Sequence, residues 1–577
     1  MLENQYHFYI IYSVDQHGNN SIEHIKRYIT WLCGFQGSNA TLLIGIEKFY
    51  IWTDSRYYYQ AKKEINHDFL SVKKENSNSN LHLWINKNIS KENLSLNPCY
   101  SSIKSVEKLS SYIQSVGGSL LFDEKDIIQE SRHFLEREIH SEKLVTNQAF
   151  PLKLKTCGLS SENKIKLIRK EIKNKNSDLM IITKLEEICW LLNIRGHDSI
   201  YTPYLTSYMI VALENLYFYV NIDKLGTKCI KYLSKLDSIK IIPYKEFYFH
   251  LETMEGKKIC IDPNTVNFSI LSRITRRNHI SYFRSPIILL KSIKNANEIR
   301  GAKIAHQKDG LAMASFFSWL EDNWKGLDEI SAKRKLHYFR SLQKGFIGES
   351  FETISAFGEN SSIIHYSTLR KNPNKIHSDN LYLIDSGGQY LEGTTDITRT
   401  IHLGKPKEIH KIFYTLVLKG NLLLKNARFP EKTKGNQIDI LARYFLHQKF
   451  FDYEHSTGHG VGSTLSVHEG PQNISPHALE ELHAGMITSN EPGIYFPGKF
   501  GIRIENLCVV KKKKANFLQF NDLTLAPYSL KLIKKSLLNQ IEIRQINDYH
   551  KRVFRDLSKF ISNKKVFLWL KKETRTI

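Results

Sequence analysis

The sequence predicts a mixed α/β chain: two α/β units of one kind at the amino-terminal end, followed by an α+β part. Three observations predict it. A length of 577 residues exceeds what a single hydrophobic core holds. The phrase Ile-x-Trp-Leu-x-x-x-x-Gly occurs twice, as Ile29, Trp31, Leu32, Gly37 and as Ile188, Trp190, Leu191, Gly196. Beyond residue 293, helical stretches alternate with apolar hairpins that concentrate Asp, Glu and His.

In chain order, HFYIIYSV reads as a first strand, and a helix-to-strand pattern follows through IKRYITWLCGFQGSNATLLIG and FYIWTDSRYYYQA. SDLMIITKLEEICWLLNIRGHDS, residues 177 to 199, begins the pattern again. Each copy of the repeated phrase precedes an aromatic strand, FYIWTD in the first and LYFYVNID in the second. The shared register favours one fold used twice over chance likeness of two amphipathic segments. From about 293, NANEIRGAKIAHQKDGLAMASFFSWLEDN has apolar residues at helical spacing, and a second helix is expected at 328 to 343. FETISAFGENSSIIHYST reads as strand-rich, with His365 near its end. LYLIDSGGQYLEGTTDITRT, residues 381 to 400, reads as a hairpin around a Gly-rich turn. IHKIFYTLVLKGNLLLKNA and QIDILARYFLHQK read as helices, LTLAPYS at 523 to 529 closes a barrel-like sheet, and the last stretch is helical with Trp569 near its end. The expected divisions are 1–152, 153–292, 293–529 and 530–577.

Composition narrows the function classes. Hydrophobic residues at 41% and charged residues at 24% are those of an ordinary globular protein. No 18-residue apolar run occurs, and MLENQYHFYI lacks the basic and apolar regions of a signal peptide, so cytoplasmic residence is expected. Seven cysteines from Cys33 to Cys508, with no CxxC pair, suit reduced thiols. The net charge of +24 comes from lysines spread along the whole length rather than from a stripe, so neither nucleic acid nor membrane is expected as a partner. KKKK at 511 to 514 reads as a solvated hairpin turn.

The chemistry concentrates between Asp385 and Glu505. Asp385 and Asp396 lie on the two arms of the 381–400 hairpin. Because side chains alternate, Leu383 and Asp385 share one face, and Thr394, Asp396 and Thr398 share another; pairing of the arms can bring the two carboxylates together. In STGHGVGSTLSVHEGP, residues 456 to 471, His459 sits between two glycines that allow close approach of the backbone to a ligand, with His455 upstream and His468 downstream. In SNEPGIY, Glu491 precedes a Pro-Gly turn, and GIRIENL sends Arg503 and Glu505 out of one strand face. Any one of these residues alone reads as a cap, a surface charge or a core residue. Together, four carboxylates and one imidazole balance two divalent cations, and the hard oxygen set favours manganese, cobalt or magnesium-like ions. Such ions stand about 3.5–4 Å apart, hold a hydroxide at neutral pH and clamp a carbonyl during hydrolysis.

The ordered set Asp385, Asp396, His459, Glu491, Glu505 resembles the dimetal peptidases of the "pita-bread" fold. Within them, IIHYS around His365, HSTGHGVGSTLSVHEGP and the closing WLKKETRTI most resemble the long, three-domain Xaa-Pro aminopeptidases. The resemblance runs from near residue 7 to the C-terminus. It implies two creatinase-like amino-terminal domains, the second ending near SIKNANEI, then a pita-bread metallopeptidase domain and a helical extension. Relatives usually carry a helix before the first strand, whereas this chain starts almost inside that strand. By the same resemblance Asp385 binds one metal, Asp396 and Glu505 bridge both, and His459 with Glu491 bind the second, with two Mn²⁺ per subunit as the expected cofactor. Glu491 is also the expected general base, and His365 and His468 are candidates for steadying the tetrahedral intermediate, the alternative for each being an ordinary structural histidine. His455, Val467, Tyr495 and Arg503 match positions that line the proline pocket or brace the site, and for Arg503 an ion pair with Glu505 is the simpler reading. The implied activity is metal-dependent removal of the N-terminal residue from peptides with proline second, by a homodimer. The alternatives are a prolidase-like dipeptidase, against which the duplicated unit argues, and a peptide-binding relative without catalysis, against which the intact ligand set argues.

Overall fold

The computed structural model describes residues 1, 5–19, 25–65, 67–135, 148–367 and 373–577. They form two compact units. The first comprises Met1–Leu152, Leu159–Ser199 and Tyr204–Ile287, and the second Lys153–Gly158, Ile200–Pro203 and Ile288–Ile577.

In the first unit, apolar strands separated by amphipathic helices build two six-stranded sheets. One runs Leu70–Lys74, Phe49–Thr53, Thr41–Gly45, Phe8–Tyr12, Asn93–Leu96, Ser119–Phe122 from edge to edge. The other runs Ile239–Pro243, Leu216–Val220, Ser207–Ala212, Leu179–Ile182, Lys258–Ile261, His279–Tyr282. Position by position the strand senses agree. Phe8–Tyr12 pairs antiparallel with Thr41–Gly45 and parallel with Asn93–Leu96, as Leu179–Ile182 does with Ser207–Ala212 and Lys258–Ile261. The repeated phrase falls on helices Ile25–Cys33 and Leu185–Leu191, which follow corresponding strands, and Ile29 and Ile188 are both buried. The internal likeness in the sequence is therefore a likeness of topology.

The longest helix of the second unit is Ala296–Asn323. Asn295 caps it by accepting from the Asn297 and Glu298 amides, while Glu298 accepts from the Asn295 amide. Gly301 on this helix lets it lie on the turn of the first acidic hairpin, since a Cβ there would stand 2.3 Å from the Glu392 carbonyl oxygen. The helix Glu329–Ser341 packs beside it, and Phe316, Leu336, Tyr382 and Ile384 share one core under the hairpin. A second helical pair, Glu408–Lys425 and Gly435–His447, supports the other acidic strands. Its core takes in Tyr414, Leu418, Ile502 and Ile504, together with Ile546, Tyr549, Val553, Leu557 and Leu570 of the C-terminal helices Gln540–Leu557 and Lys564–Glu573.

Several expectations need correction. FETISAFGENSSIIHYST holds only one strand, Ile354–Phe357; Gly358, at φ 59°, turns the chain into a 3-10 segment, and His365 follows in a turn. The last residue of that stretch lies outside the described residues. LTLAPYS is extended but unpaired in any sheet, because its polar groups are met by side chains such as Arg399 and His550. The four lysines lie on the end of strand Asn506–Lys514, and the turn is made by Ala515, at φ 48°, and Asn516. None of the seven cysteines is in a disulfide. Among the described residues no helix is long and apolar enough to cross a membrane.

Candidate metal centre

The first two carboxylates come from one antiparallel pair. Strand Leu381–Ser386 pairs with Ile397–His402, placing Asp385 opposite Thr398. Asp396 does not lie on the strand, as the alternation suggested, but in the two-residue break before it, because the Gly-rich turn forms its own small ladder through Gly388–Tyr390 and Gly393–Thr394. Gly387 allows that tight return; a Cβ there would stand 2.0 Å from the Thr395 carbonyl oxygen.

Glu491 and Glu505 also sit between ladders. Strands Ile487–Asn490 and Asn506–Lys514 pair up to Asn490 opposite Asn506, and Gly493–Phe496 pairs with Phe500–Arg503 from Gly493 opposite Arg503. The two glutamates fall in the gap. Asn421, buried on the helix Glu408–Lys425, holds that gap in place by donating to the carbonyls of Asn490 (2.9 Å) and Ile504 (3.3 Å), the residues just before the two glutamates.

His459 pairs with Asn473 in a two-residue ladder. Its flanking glycines permit close approach to the protein's own backbone rather than to a ligand: a Cβ on Gly458 would stand 2.1 Å from the Ser489 carbonyl oxygen, and one on Gly460 would stand 2.0 Å from that of Glu469. The Gly460 carbonyl accepts from His459 Nδ1 at 2.9 Å, which leaves the Nε2 lone pair free to face Glu491 (3.3 Å) and Asp396 (3.5 Å).

The structure thus brings ligand atoms of Asp385, Asp396 and Glu505, of His459, Glu491 and Glu505, and of Asp396, His459 and His468 to within 4.8 Å of one another in each group. Asp385 Oδ1, Asp396 Oδ1 and Glu505 Oε1 are buried and, among the described residues, have no hydrogen-bond donor. Burial and the neighbouring carboxylates push Asp396 and Glu505 well above the usual carboxylate range. Glu491 is raised mainly by burial, against the lowering pull of His459 and Arg503. Three orphaned carboxylate oxygens converging beside the Glu491 carboxylate and the His459 imidazole are the donor set that divalent cations require, so the residues fit a pair of such ions.

The other candidates fall into two groups. The carbonyl of Ser456 takes the Nδ1 proton of His455, Tyr495 bonds to His455 Nε2 (2.9 Å), Arg503 donates to the Tyr495 hydroxyl (2.7 Å), and Arg503 Nη2 pairs with Asp385 (2.6 Å). The ion pair of Arg503 is therefore with Asp385 and not with Glu505; Arg503 and Glu505 meet instead at the Thr398 hydroxyl, which donates to Glu505 Oε2 at 2.8 Å. His365 follows Ile364, whose carbonyl lies 3.5 Å from Arg503 Nη2. The His468 ring centroid is 4.4 Å from that of His459, and Val467 is buried just before it. Sequence reasoning missed the roles of Thr398, Asn421 and Ser489, whose hydroxyl donates to Glu491 Oε1 at 2.9 Å. Only Thr398 left a signal, by sharing its face with Asp396. It also missed Glu469, clamped between buried Lys291 and Lys294 at the base of the His468 loop.

Residues 300–512 match the model of metallopeptidase family M24, residues 140–298 that of the creatinase/prolidase N-terminal domain, and residues 516–577 that of the C-terminal region of M24 peptidases. The chain is 36% identical over 598 residues to Xaa-Pro aminopeptidase 1 of Dictyostelium discoideum, covering 99% of this chain and 94% of that protein. It superposes on the X-prolyl aminopeptidase of Caenorhabditis elegans, a cytosolic enzyme with a di-nuclear active site, with TM-score 0.93 and 30% identity, over 99% of this chain and 95% of that one. The prolidase of Pyrococcus horikoshii shares the fold over only 64% of this chain and 99% of its own, with TM-score 0.52 and 23% identity.

Proposed function

The chain belongs to the Xaa-Pro aminopeptidases of metallopeptidase family M24 and is a metal-dependent hydrolase; from that premise we propose that it removes the N-terminal residue from peptides with proline in second place. The observation that carries the reading is the set of unpartnered buried oxygens of Asp385, Asp396 and Glu505 facing His459 Nε2 and Glu491. Two divalent ions fit this set. Asp385, Asp396, His459, Glu491 and Glu505 would hold them. Mn²⁺ is the ion we propose, on the strength of the oxygen-rich donors.

When bound, the ions supply Lewis acidity at the scissile carbonyl and activate water at neutral pH. The rest is done by the chain. Glu491 takes the proton of the attacking water, and Ser489 steadies its carboxylate by donating to Oε1, the oxygen that stands 3.3 Å from His459 Nε2. His468 and His365 donate where negative charge develops. His455, Tyr495, Arg503 and Val467 shape the proline subsite, and the Arg503–Tyr495–His455 chain keeps it rigid. A ring of fixed φ then presents its preceding carbonyl in one orientation.

The prolidase reading is disfavoured because the prolidase fold accounts for only 64% of the chain. We further propose divisions at residues 152, 292 and 529, cytoplasmic residence and a homodimer. The experiment is a substrate panel on the purified, Mn²⁺-supplemented protein. A peptide with proline second should be cleaved, its alanine counterpart far more slowly, and the N-acetylated peptide not at all. Cleavage of dipeptides alone would return the assignment to prolidase.

A further inference from the structure

Arg399 is fully buried on the strand Ile397–His402, yet all its hydrogen bonds run to uncharged oxygens. Nε donates to the Pro527 carbonyl (3.0 Å), and Nη1 donates to the carbonyls of Thr398 (2.9 Å) and Glu505 (2.6 Å). Nη2 lies within bonding distance of Asn506 Oδ1 (2.8 Å), the Ala526 carbonyl (2.8 Å) and the Tyr549 hydroxyl (2.9 Å). Tyr549 stands on the helix Gln540–Leu557, donates to the Ala526 carbonyl (2.8 Å) and stacks on Tyr528 at 4.5 Å. A buried guanidinium surrounded only by dipoles is costly, so it persists where those dipoles hold it in one place.

Two of those dipoles belong to the metal-binding strands. Glu505 is joined to Thr398 twice, by its amide to the Thr398 carbonyl (3.2 Å) and by its Oε2 to the Thr398 hydroxyl (2.8 Å). Arg399 Nη1 adds a third tie by bonding both carbonyls at once. Of the remaining acceptors, Asn506 directly follows Glu505, whereas Ala526, Pro527 and Tyr549 lie in the C-terminal stretch. We propose that Arg399 and Tyr549 are positioning residues for the metal centre, linking the helical extension to the carboxylate of Glu505. This rests on the reading of Glu505 as a ligand. The extension then has a role in holding the ions, beyond completing the core.

The test is a Co²⁺ titration of the metal-stripped full-length chain, read by the visible absorption of the bound ion. Tyr549→Phe and Arg399→Lys should each weaken Co²⁺ binding by roughly 10–100-fold, the effect of losing a residue that orients a ligand, and alter the spectrum. Leu570→Ala serves as the control: it loosens the core of the extension without touching Arg399. It should lower Tm and leave Co²⁺ affinity unchanged. If Arg399→Lys does not fold, Tyr549→Phe decides alone, since it keeps the ring and its stacking. Wild-type Co²⁺ affinity in the folded variants, or a loss no greater than that of Leu570→Ala, overturns the proposal. Failure of the wild-type chain to take up a pair of Co²⁺ ions would instead sink the metal reading itself.

Discussion

Arg503 and Asp385 form a buried ion pair, Nη2 to Oδ2 at 2.6 Å, that ties the strand Phe500–Arg503 to Leu381–Ser386 across the metal centre. Asp385 thus has one oxygen committed to a fixed cation and the other, Oδ1, left open. Removing one partner of a buried pair strands the other charge and costs about 3–5 kcal/mol. Arg503→Leu should therefore destabilise the metal-free protein by at least about 3 kcal/mol, and the metal-loaded protein by less, because bound cations neutralise Asp385 in its place. Denaturant melts with and without chelator check this; an equal loss in both forms would count against it.

Metal removal should have a pH-dependent cost. Asp396 and Glu505 have folded-state pKa values above their unfolded ones, so in the window between them the folded state holds the extra proton. Their contribution to stability is present below the ordinary carboxylate value of about 4 and is lost as pH rises through the raised values. Buried His17, His306 and His550, pushed down to about 4 by burial, act the other way: their contribution is present above their unfolded value and lost as pH falls. They affect both forms alike. The difference in Tm between metal-loaded and metal-free protein should hence be largest near pH 7 and shrink on acidification. A difference that stays constant or grows in acid would contradict the carboxylate account.

Gly458→Ala tests how His459 is placed. The added methyl meets the Ser489 backbone, which cannot yield without moving Glu491 two residues on. Overpacking of this kind costs about 1–3 kcal/mol. Metal content should fall together with Tm, whereas full metal occupancy in the variant would show that the close approach does not set the ligand geometry.

Much of this was legible in the sequence. Apolar and aromatic runs such as HFYIIYSV, FYIWTD and LYFYVNID gave some strands of both sheets, and the repeat at Ile29 and Ile188 announced one topology used twice. The ligand types were readable from their motifs. Their exact seating was not, because Asp396, Glu491 and Glu505 all occupy breaks between ladders, where period-two alternation no longer fixes a face. The partner of Arg503 was misread for the same reason: its neighbour in the strand pattern is Glu505, but the ladder breaks at Ile504 and Glu505, and Asp385 arrives from a strand far away in sequence. Arg399 and Asn421 left no periodic signal at all, since a buried polar side chain looks, in sequence, like an exposed one.

Glu491→Gln keeps shape and one oxygen donor but cannot accept a proton. If Glu491 is the base, kcat should fall by at least about 10²-fold while the fold survives and KM changes much less. Steady-state kinetics on a peptide with proline second reads this; near-wild-type kcat would remove Glu491 from the role of base.

We propose a centre of two ions held by Asp385, Asp396, His459, Glu491 and Glu505. Elemental analysis of the active, full-length protein tests it most directly, run beside Asp396→Asn and Glu505→Gln. The expected result is about two divalent equivalents per chain, emptied by chelator with loss of activity, restored by Mn²⁺ or Co²⁺, and depleted in both variants. One tightly held zinc with full activity, or undiminished metal content in the variants, would contradict it.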